Sequence, residues 1–183
     1  MPFEQVETRI EGLVLVQAQV HSDERGFLAE TFRQDELKQL GIDCRFVQDN
    51  QSRSLKGTLR GIHFQTKPGQ AKLVRCARGR ILDVAVDLRR DSPTFGQWEA
   101  HELSDENQRL LFIPVGFGHG FLVLSDDADV LYRLSSYYKP ETEAGFAWDD
   151  ADVGIEWPAM GHLISERDRN APRLAEVKDS LPW

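Results

Sequence analysis

Apolar and polar positions alternate along much of this chain. Val14, Val16, Ala18 and Val20 fall on one parity and Leu13, Leu15, Gln17 and Gln19 on the other, so residues 13–20 read as a β-strand. Between residues 60 and 136, short apolar runs recur at 73–76, 81–88, 110–113, 121–124 and 130–134, separated by glycine, proline, aspartate or serine. That spacing predicts an antiparallel sandwich or barrel. A doubly wound fold would need helices of about ten or more residues between strands, and the intervals are too short or too rich in turn residues. Residues 34–40, stopped by Gly41, form the best helix candidate in the N-terminal half. From Tyr137 onwards Pro140, Pro158, Pro172 and Pro182 stand among scattered charges, which predicts irregular structure and a short terminal helix rather than another sheet.

Length and charge narrow the picture. A chain of 183 residues supports one full hydrophobic core, so a single domain spanning residues 1–183 is expected. A net charge of −8 disfavours nucleic acid and anionic membrane as partners, because the summed field repels both. Two cysteines, Cys44 and Cys76, do not make a disulfide framework, and reduced thiols in the cytoplasm are the expectation. The opening residues Met1-Pro2-Phe3-Glu4-Gln5 lack a basic region followed by an apolar stretch, and no apolar run approaches the roughly 20 residues of a spanning helix, so neither a targeting nor a membrane segment is expected.

Strand parity gives the first chemical argument. Lys72 shares parity with Val74 and Cys76, and Tyr132 with Val130 and Leu134, so both polar groups can face inward. A two-residue turn at Ala77 and Arg78 would place Asp83 opposite Lys72, whereas a bulge at Gly79 would shift that register by one. On parity alone, a sheet-edge lysine and a tyrosine capping the core are the favoured reading. Their company raises the stakes: the strand-like segment Arg60-Gly61-Ile62-His63-Phe64-Gln65 carries a guanidinium and an imidazole that need partners. His119, in Gly116-Phe117-Gly118-His119-Gly120-Phe121, is open to the same two readings, a hydrogen-bonded core side chain or a functional one. No metal site is expected, since His63 is followed by Gln65 rather than a second histidine and neither cysteine belongs to a paired motif. Arg53, Lys56 and Arg60 around Ser52, Ser54 and Gly57 can hold phosphate oxygens or form a solvated basic loop. A P-loop, a dinucleotide fingerprint and a nucleophile elbow are all absent from the sequence.

Three segments then carry a resemblance: Gln48-Asp49-Asn50-Gln51-Ser52, Leu59-Arg60-Gly61-Ile62-His63-Phe64-Gln65 and Ile113-Pro114-Val115-Gly116-Phe117-Gly118-His119-Gly120-Phe121. They resemble the dTDP-4-dehydrorhamnose 3,5-epimerase family. The likeness continues in order through Asp23-Glu24-Arg25-Gly26-Phe27, Gln70-Ala71-Lys72-Leu73-Val74, Asp83-Val84-Ala85-Val86-Asp87, Ser92-Pro93-Thr94-Phe95-Gly96, Tyr137-Tyr138 and Gly154-Ile155-Glu156-Trp157-Pro158. It implies an all-β fold, the cupin-type double-stranded β-helix or jelly-roll barrel, with short flanking helices. It also implies a homodimer acting without cofactor on dTDP-4-dehydro-6-deoxy-D-glucose, on the route to dTDP-L-rhamnose. Carbons 3 and 5 flank the C4 ketone, so their protons become removable as charge moves onto that oxygen.

By resemblance His63 is the base, Asp168 its orienting partner, Lys72 the cation that stabilises the enolate, and Tyr132 the acid that returns a proton on the opposite face. Imidazole suits the base, since histidine ordinarily titrates near pH ~6.5. Arg25, Glu30, Gln48, Asn50, Arg60, His119 and Glu143 match positions that contact nucleotide or sugar, with Arg25 and Glu30 serving the neighbouring subunit's site. The chain departs from the family's pattern at Gly118, where alanine is common, and at Arg167, where lysine commonly precedes the aspartate. Alternative readings are an epimerase inverting C5 or C3 alone, a noncatalytic cupin that binds nucleotide sugars, and a metal-dependent cupin enzyme.

Overall fold

Alternating strands need a partner for their apolar face, and this chain supplies one by folding two sheets against each other. The computed structural model describes residues 2–183. The strands are β1 (Phe3–Val6), β2 (Val14–Ala18), β3 (Val20–Asp23), β4 (Gly26–Ala29), β5 (Gln48–Leu55), β6 (Thr58–Gln65) and β7 (Lys72–Arg78). They continue with β8 (Arg80–Asp87), β9 (Trp98–Ser104), β10 (Arg109–Ile113), β11 (Phe117–Val123), β12 (Asp127–Leu134), β13 (Glu143–Gly145) and β14 (Leu163–Ile164). Three short helices, α1 (Gln34–Gln39), α2 (Glu166–Arg169) and α3 (Leu174–Val177), flank them. One sheet runs β1-β2-β10-β7-β12-β5, the other β13-β6-β11-β8-β9 with β14 beside β6, and β3 and β4 form a separate hairpin.

The chain changes sheet at almost every turn after β5, which is the jelly-roll expected from the resemblance. Inward residues of both sheets, among them Leu15, Val74, Cys76, Ile81, Ala85, Leu111 and Val130, pack into the inner core. On the far face of the second sheet, Ile62, Phe64, Val84 and Val86 are covered by Phe146, Val153, Leu174 and Leu181 from the C-terminal segment. That segment therefore lies over the back of β6 and β8.

Four local expectations change. Residues 13–20 are not one strand: pairing in β2 ends at Ala18, and Val20, exposed, begins the β3–β4 hairpin. No hairpin joins β7 to β8. Gly79, at φ 75°, carries the chain across to the other sheet, where a Cβ would collide with the Asp127 carbonyl oxygen. Lys72 thus pairs with Ile113 and Leu134, while Asp83 pairs with Phe121 and His101. The basic cluster of residues 53–60 is split, since Arg53 binds Asp129 at 2.6 Å and Lys56 lies 3.8 Å from Asp126. Finally, the C-terminal segment does contribute strands, because β13 and β14 both extend β6. They are too short to show alternation.

Candidate active site

In a regular strand Arg60 and His63, three apart, would point to opposite faces. They do not here. In the ladder between β6 and β11, His119 stands opposite His63 but Phe121 stands opposite Arg60, so β6 carries one extra residue at a bulge. Gly61 sits in it at φ 127°, with room for no side chain beside the Gly120 backbone. The bulge turns Arg60 back to the face of His63, and both line a cavity of about 720 Å³.

The second half of the site comes from α2. His63 Nε2 lies 2.7 Å from Asp168 Oδ1, and Asp168 is buried. Ser165 caps this helical turn by accepting a hydrogen bond from the Asp168 N–H. Burial opposes ionisation of Asp168, but the His63 hydrogen bond and charge, with Ser165 and the Gly61 backbone, hold its carboxyl below the usual range. A carboxylate only accepts, so His63 donates from Nε2–H and keeps a lone pair on Nδ1.

The opposite sheet supplies Lys72 from β7 and Tyr132 from β12. Lys72 is buried, with Nζ 3.5 Å from the His63 carbonyl oxygen. Burial drives its pKa down to about 8, against the charges of Asp83 and Glu143, which favour the ammonium. His119 is buried as well, and burial is the main cause of its lowered pKa, only partly countered by Asp83.

Gln48, Asn50 and Glu143 complete the lining among the expected residues. Arg25 and Glu30 stay outside it, Arg25 paired with Asp23 on the exposed β3–β4 hairpin and Glu30 lying 3.8 Å from Arg33. Residues absent from the expected set also take part. The Tyr138 hydroxyl donates to Glu143 at 2.8 Å, and Arg167 donates to the same oxygen at 2.6 Å. The Tyr137-Tyr138 pair amid prolines, and a cation next to Asp168, were the available signals. For Asp83 the signal was a charge inside an otherwise apolar run.

The family model described as dTDP-4-dehydrorhamnose 3,5-epimerase matches residues 7–176. The chain belongs to this family. It is 49% identical over 177 residues to the dTDP-4-dehydrorhamnose 3,5-epimerase of Methanothermobacter thermautotrophicus, covering 95% of this chain and 96% of the relative. The crystal structure of the dTDP-6-deoxy-D-glucose-3,5-epimerase of Legionella pneumophila, in complex with dTDP-4-keto-L-rhamnose, superposes with a TM-score of 0.94 at 43% identity, over 97% of this chain and 96% of that one. A dTDP-4-dehydrorhamnose 3-epimerase of Streptomyces niveus is 41% identical, over 93% of this chain and 84% of the relative.

Within the epimerase family frame, both departures have a local cause. A Cβ on Gly118 would come within 2.5 Å of Ile62 Cγ2 and 3.3 Å of Leu88 Cδ1, so the space an alanine methyl would need is taken by Ile62. Arg167 is engaged with Glu143. Burial works against the charge on Glu143, yet Arg167, Tyr138 and His63 together hold its carboxyl below the ordinary range. The pair ties α2 to β13, whose Gly145 stands opposite His63.

Proposed function

We propose that this protein epimerises dTDP-4-dehydro-6-deoxy-D-glucose at C3 and C5, giving dTDP-4-dehydro-L-rhamnose. The observation that carries this reading is the placement of His63 and Tyr132 on opposite sheets of one cavity with Lys72 between them in the chemistry. His63 Nδ1 takes the proton from the carbon beside the ketone. The electron pair left by that C–H bond moves onto the ketone oxygen, where the Lys72 ammonium stabilises the enolate. Tyr132 then gives a proton to the same carbon from the other face, and the centre is inverted. Asp168 holds the imidazole in the productive tautomer and stabilises its protonated form. General acid–base catalysis alone supplies about 10²–10⁴-fold, so the cation at the ketone oxygen is an essential part of the scheme.

The test is incubation of dTDP-4-dehydro-6-deoxy-D-glucose with wild-type protein and with His63→Ala in heavy water, read by mass spectrometry and proton NMR. Deuterium at both C3 and C5, lost in the variant, is the expected result. Incorporation at one carbon would assign a monoepimerase, the activity in the name of the 41% identical Streptomyces niveus relative. Binding without exchange would rule out catalysis on this sugar.

The working unit proposed is a homodimer in which Arg25 and Glu30 reach the neighbouring site. Phe27 and Leu28, 61% and 72% exposed on the same hairpin, support it, since two adjacent large apolar side chains facing water favour a covering partner. Mixing inactive Arg25→Ala and His63→Ala proteins after unfolding and refolding should restore about a quarter of the wild-type sites by random pairing. No restored activity would place Arg25 in its own subunit's site or in none.

A further inference from the structure

Asp83 occupies the middle of β8 and is fully buried. It shares inward parity with Ile81 and Ala85, which belong to the inner core. In the ladder with β11, Asp83 stands opposite Phe121 and Ala85 opposite His119, so Asp83 and His119 are diagonal neighbours on one face. His119 Nε2 lies 2.9 Å from one Asp83 oxygen and 3.1 Å from the other. Because a carboxylate accepts, the proton sits on Nε2 and the lone pair on Nδ1. Asp83 itself is not in the cavity wall, whereas His119 and Lys72 are.

A buried carboxylate persists only with a compensating cation or strong donors. Lys72, on the other sheet, is the cation whose ammonium form the Asp83 charge favours. The charged and titratable groups that bear on Lys72 are Asp83 from β8, His119 from β11 and Glu143 from β13, and its Nζ lies 3.5 Å from the His63 backbone carbonyl oxygen. Of these Asp83 is the stronger acidic influence, and Glu143 is already shared by Arg167 and Tyr138.

The geometry points to Asp83 as a positioning residue behind the reaction cavity, one that fixes the His119 ring through Nε2–H and opposes the Lys72 ammonium with a fixed negative charge. This assignment rests on the epimerase reading, in which Lys72 acts on the enolate. Asp83 touches no substrate in this scheme; it keeps two cavity groups in the form and orientation they work in.

The experiment compares wild type with Asp83→Asn, which preserves shape and one acceptor oxygen while removing the charge. The pH dependence of kcat should show its alkaline limb moved down by about one pH unit, the lower end of the shift that a nearby opposing charge produces, because the Asp83 charge favours the Lys72 ammonium. KM should change far less than kcat, because the enolate charge exists only on the way to product. An alkaline limb unmoved in a folded Asp83→Asn protein would overturn the proposal. Imidazole ¹⁵N NMR of the wild type is a second test that needs no variant: His119 as the Nε2–H tautomer supports the assignment, and the Nδ1–H tautomer overturns it. If wild type catalyses no exchange at all, the epimerase reading fails, and ¹⁵Nζ titration of Lys72 in the two proteins still decides whether Asp83 opposes its charge.

Discussion

His63 and Asp168 are 105 residues apart in the chain, yet their side chains meet at 2.7 Å. Replacing Asp168 by Asn keeps the shape but puts an amide where the carboxylate stabilised the imidazolium, and it can reverse the tautomer. Asp168→Asn is expected to lower kcat by about 10²–10⁴-fold with KM changed only a few-fold, measured under saturating substrate. A loss confined to KM would show that Asp168 serves binding rather than proton transfer.

Lys72 sets an alkaline limit. Burial brings its pKa from 10.5 to about 8, so the ammonium is complete well below pH 8 and disappears as pH rises through it. Activity should therefore fall above pH 8. The stability effect has the opposite sign. Between pH 8 and 10.5 the unfolded chain binds the proton and the folded one does not, so this residue's penalty is full below pH 8 and fades as pH rises. Lys72→Met should abolish turnover while raising stability at neutral pH by up to about 3 kcal/mol, read by urea unfolding.

Gly118→Ala should destabilise, since the new methyl meets Ile62 Cγ2, which hangs directly on a branched Cβ and cannot swing aside. Overpacking of this kind costs about 1–3 kcal/mol. Ile62→Val keeps that methyl but Ile62→Ala removes it, so in a double-mutant cycle the Gly118→Ala penalty should be smaller in the Ile62→Ala background than in wild type. Thermal unfolding across the cycle measures it.

Asp87 is the main acid-sensitive anchor outside the site. It accepts hydrogen bonds from the Arg89 backbone and guanidinium, and from the Ser92 and Thr94 hydroxyls. Burial opposes its ionisation, but these donors win and bring its pKa from 3.8 to about 2. The unfolded chain takes up the proton first, so the contribution is complete above pH 3.8 and is lost as pH falls through about 2. At neutral pH it amounts to about 2 kcal/mol. Asp87→Asn should flatten the stability profile between pH 4 and 2 in guanidinium titrations.

Much of this was legible beforehand, for identifiable reasons. The runs at 73–76, 110–113 and 130–134 lie within β7, β10 and β12 because short apolar runs bounded by turn residues mark strands buried on both faces, as β10 buries Leu111 and Ile113 on one side and Leu110 and Phe112 on the other, and Gly41 stops α1 as a glycine stop should. Parity allowed Lys72 and Tyr132 to face inward without deciding it, and both are found on the cavity wall. Parity could not place Arg60 with His63, because the bulge at Gly61 adds a residue whose only mark in the sequence is an isolated glycine. Nor could it pair Lys72 with Asp83 along one sheet, since Gly79 sends β8 to the other sheet. Asp168 stands on a four-residue helical turn without periodicity of its own, so only the resemblance singled it out. Arg25 and Glu30, singled out only by the resemblance, stay outside the cavity of a single chain.

The repeated change of sheet also governs how activity is acquired. His63, Lys72, His119, Tyr132 and Asp168 lie on five elements, and neighbours in space such as β6 and β11 or β7 and β12 are far apart in sequence. Loop closure must precede every one of these contacts, a topology of high contact order that folds in milliseconds to seconds rather than microseconds. No fragment of the chain holds a working half of the site. Recovery of turnover during refolding therefore reports completion of the whole topology, and an early hairpin, however native, contributes none of it.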